Sequence, residues 1–287
     1  MMIERSALYV PGDQPGKLAG ARDRGADALI IDLEDAVAPD RKDVARQAAE
    51  AWLAQAPTGR ARIWVRVNPG EPREAELRAL AAAPALTGFC LAKAQDAAEI
   101  AGLDRLLTAL GSEARLAPIL ESASAVLNAR EIAAAPRVVR LQIGEADLRA
   151  ELGIMPGPEE SEMSWIRSWV VLASAAAGIG PPLAPVAADF RNADQFRASC
   201  LRLKRMGFRG RACIHPAQVA LANEVFGPTA QEVAAARAVV AAFEAAGAGA
   251  FADQAGRMVD LPVARQARRV LDLDAYLASG GSPQAPA

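Results

Sequence analysis

The sequence predicts an α/β protein whose main part is a closed (β/α)8 TIM barrel, followed by a C-terminal helical extension. Apolar segments of strand length alternate with alanine-rich helical segments eight times. These segments lack the polar alternation of a half-exposed sheet, as expected for parallel strands covered on both faces. Alternating strands and helices imply a parallel sheet, and eight units imply a barrel. A doubly wound open sheet is the alternative, but no glycine-rich nucleotide turn follows the first strand.

The second predicted strand carries the clearest functional signal. Its apolar segment, Ala28–Ile31, is followed within four residues by Asp32, Glu34 and Asp35. An α/β enzyme presents charge in this way at the carboxyl edge of its sheet. Asp32 or Asp35 could equally cap the helix that starts near Pro39. The functional interpretation is favoured because other predicted strands along the chain also end in charged residues.

The other elements follow from hydrophobic spacing and from glycine and proline stops. Helices are predicted at 15–24, 40–54, 74–82, 97–111, 123–134, 165–177, 195–206, 229–246 and 263–277. The predicted strands are 6–10, 28–34, 62–68, 88–93, 116–121, 138–144, 183–187 and 211–215. We therefore assign residues 1–225 to the barrel, 226–278 to a helical extension that could act as a lid, and 279–287 to a disordered tail.

Composition excludes several classes of function. The formal net charge of −2 shows no surface for nucleic acid or membrane, and aromatic residues make up only 5%. Three cysteines without short spacing argue against a zinc site or a disulfide framework. The amino-terminal residues lack the apolar run of a signal peptide. We expect a cytoplasmic protein.

A barrel gathers the residues that follow its strands on one face. That face would be rich in acids with few cations, and acids of one sign need a counter-charge. Oxygen ligands without a cluster of Cys or His favour Mg²⁺ or Mn²⁺. Glu121 and Asp147 are the metal candidates, although each could instead be an ordinary acid at a helix start. The residues predicted on this face are Glu34, Asp35, Arg66, Asn68, Lys93, Glu121, Asp147, Asp189 and His215.

The cations on this face have competing interpretations. Arg66 could grip a substrate carboxylate with two hydrogen bonds, or it could pair with one of the acids. Lys93 could be a Schiff-base nucleophile, but a lysine among acids stays protonated, which favours an ion pair. His215, the only histidine, precedes Pro216 and is more readily explained as structural.

The chain closely resembles the citrate lyase β-subunit (CitE-like) family of the HpcH/HpaI aldolase group, which includes malyl-CoA and citramalyl-CoA lyases. The matching segments occur in family order over nearly the whole chain. They are residues 5–12, 26–37, 64–69, 118–122, 144–148, 213–218 and 258–262.

The resemblance implies a lyase that reversibly cleaves a carboxylated 3-hydroxyacyl-CoA, such as malyl-CoA or citramalyl-CoA, into acetyl-CoA and a 2-keto acid. It implies that Glu121 and Asp147 hold Mg²⁺ and that Arg66 binds the substrate carboxylate. It also implies a homotrimer in which the extension covers a neighbouring subunit and delivers Asp260 as the acid/base group. Glu34 and Asp35 are further candidates for substrate contact, and Arg5 and Lys17 for the CoA phosphates.

Two departures and two alternatives accompany this resemblance. Asp35 stands where pyruvate-aldol members carry a histidine, which argues against that branch, and Ala92 replaces a proline common before Lys93 in relatives. The alternatives are a citrate lyase β-subunit that acts on citryl-ACP within a complex and a malyl-CoA-type thioesterase. A barrel that serves only as a binding subunit is disfavoured because the set Arg66, Glu121, Asp147 and Asp260 is complete.

Overall fold

The computed structural model describes residues 4–55, 60–247, 249–252 and 256–279. The chain divides into two compact units, Met1–Phe226 and Gly227–Ala287. Nearly all of the predicted disordered tail, residues 280–287, lies outside the described residues.

The first unit is a mixed α/β structure around a curled sheet of seven parallel strands. Their bounds are Ser6–Pro11 (β1), Ala28–Asp32 (β2), Arg62–Val67 (β3), Leu86–Leu91 (β4), Arg115–Leu120 (β5), Gln142–Ile143 (β6) and Arg211–Cys213 (β7). The strand order is β6-β5-β4-β3-β2-β1-β7. Neighbours in sequence are thus neighbours in the sheet from β1 to β6, and all of these pairs are parallel, as predicted.

Two predicted strands are shorter in the structure. The sixth, 138–144, keeps only β6 and a single bridge between Val138 and Leu116. The seventh, 183–187, is reduced to two bridge residues: Leu183 pairs with Gln142 of β6, and Ala184 pairs with Arg211 of β7. Prolines flank these two residues on both sides, and a proline has no N–H to donate to a ladder. The expectation of a full strand here is therefore wrong.

Alternate residues of the strands pack on opposite faces, which explains their uninterrupted apolar sequence. In β2, Leu29 and Ile31 belong to the large core cluster that includes buried helix residues. Ala28 and Ile30 belong to the second cluster, which contains Trp64 and Ala117 from neighbouring strands. Both faces of β2 are therefore buried, as the sequence predicts.

Ten helices surround this sheet in the described part of the first unit. Asn128 separates two short helices, Ala123–Leu127 and Ala129–Ala133, so the predicted helix 123–134 is broken. Two helices that the sequence analysis did not predict, α7 and α10, directly follow β6 and β7. The bounds are Pro15–Ala19 (α1), Lys42–Gln55 (α2), Glu71–Leu80 (α3), Ala97–Ala109 (α4), Ala123–Leu127 (α5), Ala129–Ala133 (α6), Glu145–Leu152 (α7), Ser164–Ala176 (α8), Ala193–Met206 (α9) and Pro216–Phe226 (α10).

The second unit contains two helices, Ala230–Ala245 (α11) and Leu261–Ala278 (α12), and two short antiparallel strands, Phe251–Ala252 (β8) and Met258–Val259 (β9). Its small core joins Phe243, Val259 and Ala264. Thr229 caps α11 in a reciprocal capping box with Glu232. Among the described residues, no helix combines the length and apolar character needed to cross a lipid bilayer.

Candidate active site

The carboxyl ends of β2 and β3 place a carboxylate beside a guanidinium. Asp32 and Arg66 are register partners on these parallel strands. Arg66 donates from Nε to Asp32 Oδ1 at 2.7 Å and from Nη2 to Asp32 Oδ2 at 2.6 Å. Asp32 also accepts the backbone N–H groups of Glu34 and Ala36, so it shapes the turn after β2 as well. Asp32 therefore has two roles: it accepts backbone N–H groups of the turn, and it binds Arg66.

Arg66 also lies close to two more carboxylates and an aromatic ring. Its Nη1 lies 3.0 Å from Glu34 Oε2 and 3.6 Å from Asp35 Oδ2. The guanidinium carbon stacks 5.0 Å above the centre of the Tyr9 ring. Burial alone would lower the pKa of Arg66, but the hydrogen bonds to Asp32 and the surrounding charges raise it overall. Arg66 is therefore a permanent cation at this edge of the sheet.

Lys93, after β4, forms an ion pair with the same acids. Its Nζ lies 2.8 Å from Glu34 Oε1 and 4.0 Å from Asp35 Oδ1. Burial acts to raise the pKa of Glu34, but the hydrogen bond from Lys93 and the charge of Arg66 lower it overall. The φ angle of Lys93 is +50°, an unusual value for a residue with a side chain. The geometry favours the ion-pair role of Lys93 over a nucleophilic one.

Glu121 follows β5 and is buried with one oxygen unpaired. Its exposed fraction is 6%, and Oε2 has no hydrogen-bond partner within the described residues. Burial raises the pKa of Glu121 to about 7, and the charges of Asp147 and Glu34 add to the effect. A Cβ at Gly144 would lie only 2.3 Å from Glu121 Cγ, so the glycine makes room for this side chain.

A cavity of about 390 Å³ joins these groups. Arg66, Glu121 and Asp147 line it together, and a smaller cavity of about 230 Å³, bordered by Lys93, shares Glu121 and Asp147. The remaining wall is partly apolar. Its apolar members include Ile119, Ile143, Leu183, Ala184, Pro185, Val186, Ala212 and Ile214.

The donor set of this cavity fits a hard divalent cation. Glu121 brings a buried oxygen without a partner, and Asp147 brings a second negative charge. Within the described part of the chain, no group of three or more His, Cys, Asp or Glu side chains is arranged as a metal site. Two carboxylates leave the other coordination positions to water or substrate oxygens, which is how Mg²⁺ is usually bound.

The structure corrects the prediction that Arg5 binds CoA phosphates. Arg5 precedes β1, at the amino edge of the sheet, and the candidate site lies at the carboxyl edge. Its Nε and Nη2 donate to the two oxygens of Asp27 at 2.8 and 2.9 Å. Arg5 is therefore a structural partner of Asp27. Lys17 is exposed on α1, which follows the carboxyl end of β1.

Three other residues that were predicted on this face make local contacts. Asn68 donates to Glu76 and to the carbonyl of Leu33. Asp189 is exposed and accepts the N–H of Arg191. His215 is exposed and stacks on Phe190 with ring centres 4.6 Å apart.

Asp260 belongs to the second unit, where it caps the start of α12. Its Oδ1 accepts the backbone N–H of Val263 at 3.2 Å. Asp260 therefore has a local structural function, in addition to the acid/base role that stays a prediction.

Sequence reasoning missed Tyr9, Gln142 and Gly144, and it did not foresee the contact between Asp32 and Arg66. Tyr9 supports Arg66, and its hydroxyl donates to Gln142 Oε1 at 3.3 Å. Burial raises the pKa of Tyr9, which keeps this phenol a hydrogen-bond donor. Gly144 accommodates Glu121, and Asp32 holds Arg66. Only the place of Asp32 at the end of a predicted strand offered a sequence signal for this contact.

Comparisons with known proteins identify the family of this chain. The chain is 38% identical over 244 residues to a (3S)-malyl-CoA thioesterase from Cereibacter sphaeroides, covering 84% of each chain. It is 33% identical over 300 residues to the L-malyl-CoA/beta-methylmalyl-CoA lyase of Rhodobacter capsulatus, covering 94% of each.

Among solved structures, CitE from Mycobacterium tuberculosis in complex with magnesium, acetoacetate and coenzyme A matches with a TM-score of 0.77 and 29% identity. The match covers 95% of this chain and 98% of that chain. The family model HpcH/HpaI aldolase/citrate lyase matches residues 5–216. The chain therefore belongs to the HpcH/HpaI aldolase/citrate lyase family.

Proposed function

We propose that this protein is a Mg²⁺-dependent carbon–carbon lyase that acts on a carboxylated 3-hydroxyacyl-CoA such as malyl-CoA or citramalyl-CoA. The products are acetyl-CoA and a 2-keto acid. The lyase from R. capsulatus supports the reaction, and the CitE complex supports both Mg²⁺ and coenzyme A. The proposed scaffold is a (β/α)8 barrel in which Leu183 and Ala184 take the place of the missing strand.

The observation that carries this proposal is the shared cavity of Arg66, Glu121 and Asp147. Glu121 and Asp147 would hold Mg²⁺, and Arg66 would bind the carboxylate of the keto-acid part by charge-assisted hydrogen bonds. When bound, Mg²⁺ supplies a Lewis acid that stabilises negative charge on substrate oxygens. Glu34 would hold Arg66 and Lys93 in place, and Glu34 and Asp35 stay candidates for substrate contact, since Asp35 lines the same cavity.

The bond that breaks joins C2 and C3 of the acyl chain. Its electron pair passes to the acetyl-CoA enolate, while the hydroxyl at C3 gives its proton to water and becomes the keto group. The enolate then takes a proton, for which Asp260 on the helical extension of a neighbouring subunit is the proposed donor. This arrangement needs a homo-oligomer, and we propose a trimer. We also propose that Lys17 contacts the CoA phosphates and that the enzyme works in the cytoplasm.

Condensation offers the direct test of the proposal. The purified protein would receive acetyl-CoA or propionyl-CoA with glyoxylate or pyruvate, and mass spectrometry would follow the CoA esters with and without excess EDTA. We expect a hydroxyacyl-CoA to form only with Mg²⁺ and not in Asp147→Asn. A well-folded, Mg²⁺-loaded wild type that forms no such ester from any pair would refute the proposal.

A thioesterase is the second candidate because the C. sphaeroides relative carries that name. Release of free CoA without a keto acid would support it. The third, a citrate lyase β-subunit acting on citryl-ACP, predicts turnover of a carrier-protein thioester and none of the CoA ester. Both candidates use the same carboxylates and Arg66, so product identity rather than site geometry separates them.

A further inference from the structure

We infer that Asp32 is a positioning residue that sets the direction in which Arg66 meets the substrate carboxylate. The inference rests on the proposed function and assigns a role to a side chain that the proposed chemistry does not use. Its basis is a set of contacts around one buried carboxylate.

The carboxylate of Asp32 accepts hydrogen bonds on both oxygens from two directions. Oδ1 accepts from Arg66 Nε at 2.7 Å and from the backbone N–H of Glu34 at 2.9 Å. Oδ2 accepts from Arg66 Nη2 at 2.6 Å and from the backbone N–H of Ala36 at 3.2 Å. The exposed fraction of Asp32 is 1%, so water does not replace these partners. Asp32 therefore ties Arg66 rigidly to the turn after β2.

The contacts around Arg66 restrict it on one edge and one face. Asp32 occupies the Nε–Nη2 edge, and Tyr9 lies beneath the plane of the guanidinium. The remaining polar end, with Nη1, lies 3.0 Å from Glu34 Oε2, and Arg66 lines the main cavity. A guanidinium held in this way keeps its fork in one orientation, and little rotamer freedom is lost when a carboxylate binds.

The charge of Asp32 is needed as well as its shape. Glu34 and Asp35 also approach Arg66, at 3.0 and 3.6 Å. Without the stronger bidentate contact from Asp32, the guanidinium would turn toward these acids, which would then compete with the substrate carboxylate for it. Asp32→Asn keeps the volume of the side chain but places an N–H donor against other N–H donors. The expected consequence is a displaced Arg66 in a folded protein.

The chain offers a matched control in Asp27. Asp27 also binds an arginine through both oxygens, since Arg5 Nε and Nη2 donate to it at 2.8 and 2.9 Å. This pair lies at the amino edge of the sheet, away from the cavity. Asp27→Asn therefore removes the same kind of ion pair without touching the site, and it measures the purely structural cost.

The experiment compares wild type, Asp32→Asn and Asp27→Asn in the Mg²⁺-loaded protein. Calorimetry would measure pyruvate and glyoxylate binding without a CoA ester, and steady-state condensation would give kcat and KM for the same acids. We expect Asp32→Asn to weaken binding and raise KM about 10- to 100-fold. A displacement of the Arg66 guanidinium by about 1 Å is enough to lose its contact with the substrate carboxylate. We expect kcat to change much less and Asp27→Asn to leave KM at the wild-type value.

A double-mutant cycle with Arg66→Lys shows whether Asp32 acts through Arg66. Lysine cannot form the bidentate contact, so Asp32→Asn should raise KM far less in the Arg66→Lys background. Equal effects in both backgrounds, an unchanged KM in Asp32→Asn, or an equal rise in Asp27→Asn would overturn the inference. A wild type that neither binds nor turns over any 2-keto acid would instead refute the proposed function itself.

Discussion

Gly144→Ala tests the geometry of the proposed metal site with a single added methyl group. The φ angle of Gly144 is −91°, so alanine meets no backbone strain there. The new Cβ would lie 2.3 Å from Glu121 Cγ and 2.9 Å from its Cδ. Carbon atoms at ordinary contact are about 3.5–4.0 Å apart, so the Glu121 side chain must move by more than about 1 Å.

This displacement of the Glu121 side chain should lower the affinity for the metal ion while the protein stays folded. Changes beside a ligand typically cost about 10- to 100-fold in metal affinity, or about 1.4–2.7 kcal/mol. Isothermal titration with Mg²⁺ and Mn²⁺ electron paramagnetic resonance would measure the loss, and circular dichroism would confirm that the protein is folded.

Gly102→Ala is the matched control for this change. Gly102 lies in α4, and the nearest atom to its Cβ is the flexible tip of Arg105 at 3.7 Å. The control should keep wild-type affinity and gain about 0.5–1 kcal/mol of stability, because alanine is the better helix residue. Wild-type affinity in Gly144→Ala would contradict the claim that Glu121 holds the metal from its place above Gly144.

Three further predictions concern metal linkage, thiols and the extension. Saturating Mg²⁺ should raise the melting temperature of wild type but not of Asp147→Asn, because only a bound ligand stabilises the native state; an equal shift in both would contradict the assignment. Burial raises the pKa of Cys90 and Cys213 to about 12, so below that pH both stay neutral thiols and should react with a disulfide reagent at pH 8 only after unfolding; prompt labelling of the native protein would refute this. Thr229→Ala should destabilise the second unit by about 1 kcal/mol in chemical denaturation, whereas Thr229→Ser should retain the cap; equal stability of both variants would exclude a contribution from the capping box.

The sequence predicted the parts of the fold that depend on local pattern. Continuous apolar runs such as Ala28–Ile31 correctly identified buried parallel strands, because both faces of β2 are covered. The run at 183–187 failed as a strand because the prolines on either side of Leu183 and Ala184 cannot donate to a ladder, and only these two residues form bridges. Short helices after strands, such as α7, were missed because charged residues at their start look like loop residues.

In the candidate site, too, the sequence predicted what depends on local pattern and missed what depends on how distant segments pair. Arg66, Glu121 and Asp147 were predicted from their places at or just after the carboxyl ends of strands, and the structure brings all three to one cavity. The pairing of Asp32 with Arg66 depends on strand register, which the sequence does not state. Arg5 was proposed for CoA because it is near the first loop in sequence, but it precedes β1 and therefore lies at the opposite edge of the sheet.

The fate of malyl-CoA or citramalyl-CoA tests the central claim most directly. The Mg²⁺-loaded protein would be given each ester, and mass spectrometry and keto-acid derivatisation would quantify the products. The account predicts equal amounts of acetyl-CoA and of glyoxylate or pyruvate, with both lost in Asp147→Asn and after metal removal. Free CoA with malate or citramalate, and no acetyl-CoA, would show cleavage of the thioester instead and contradict the lyase assignment.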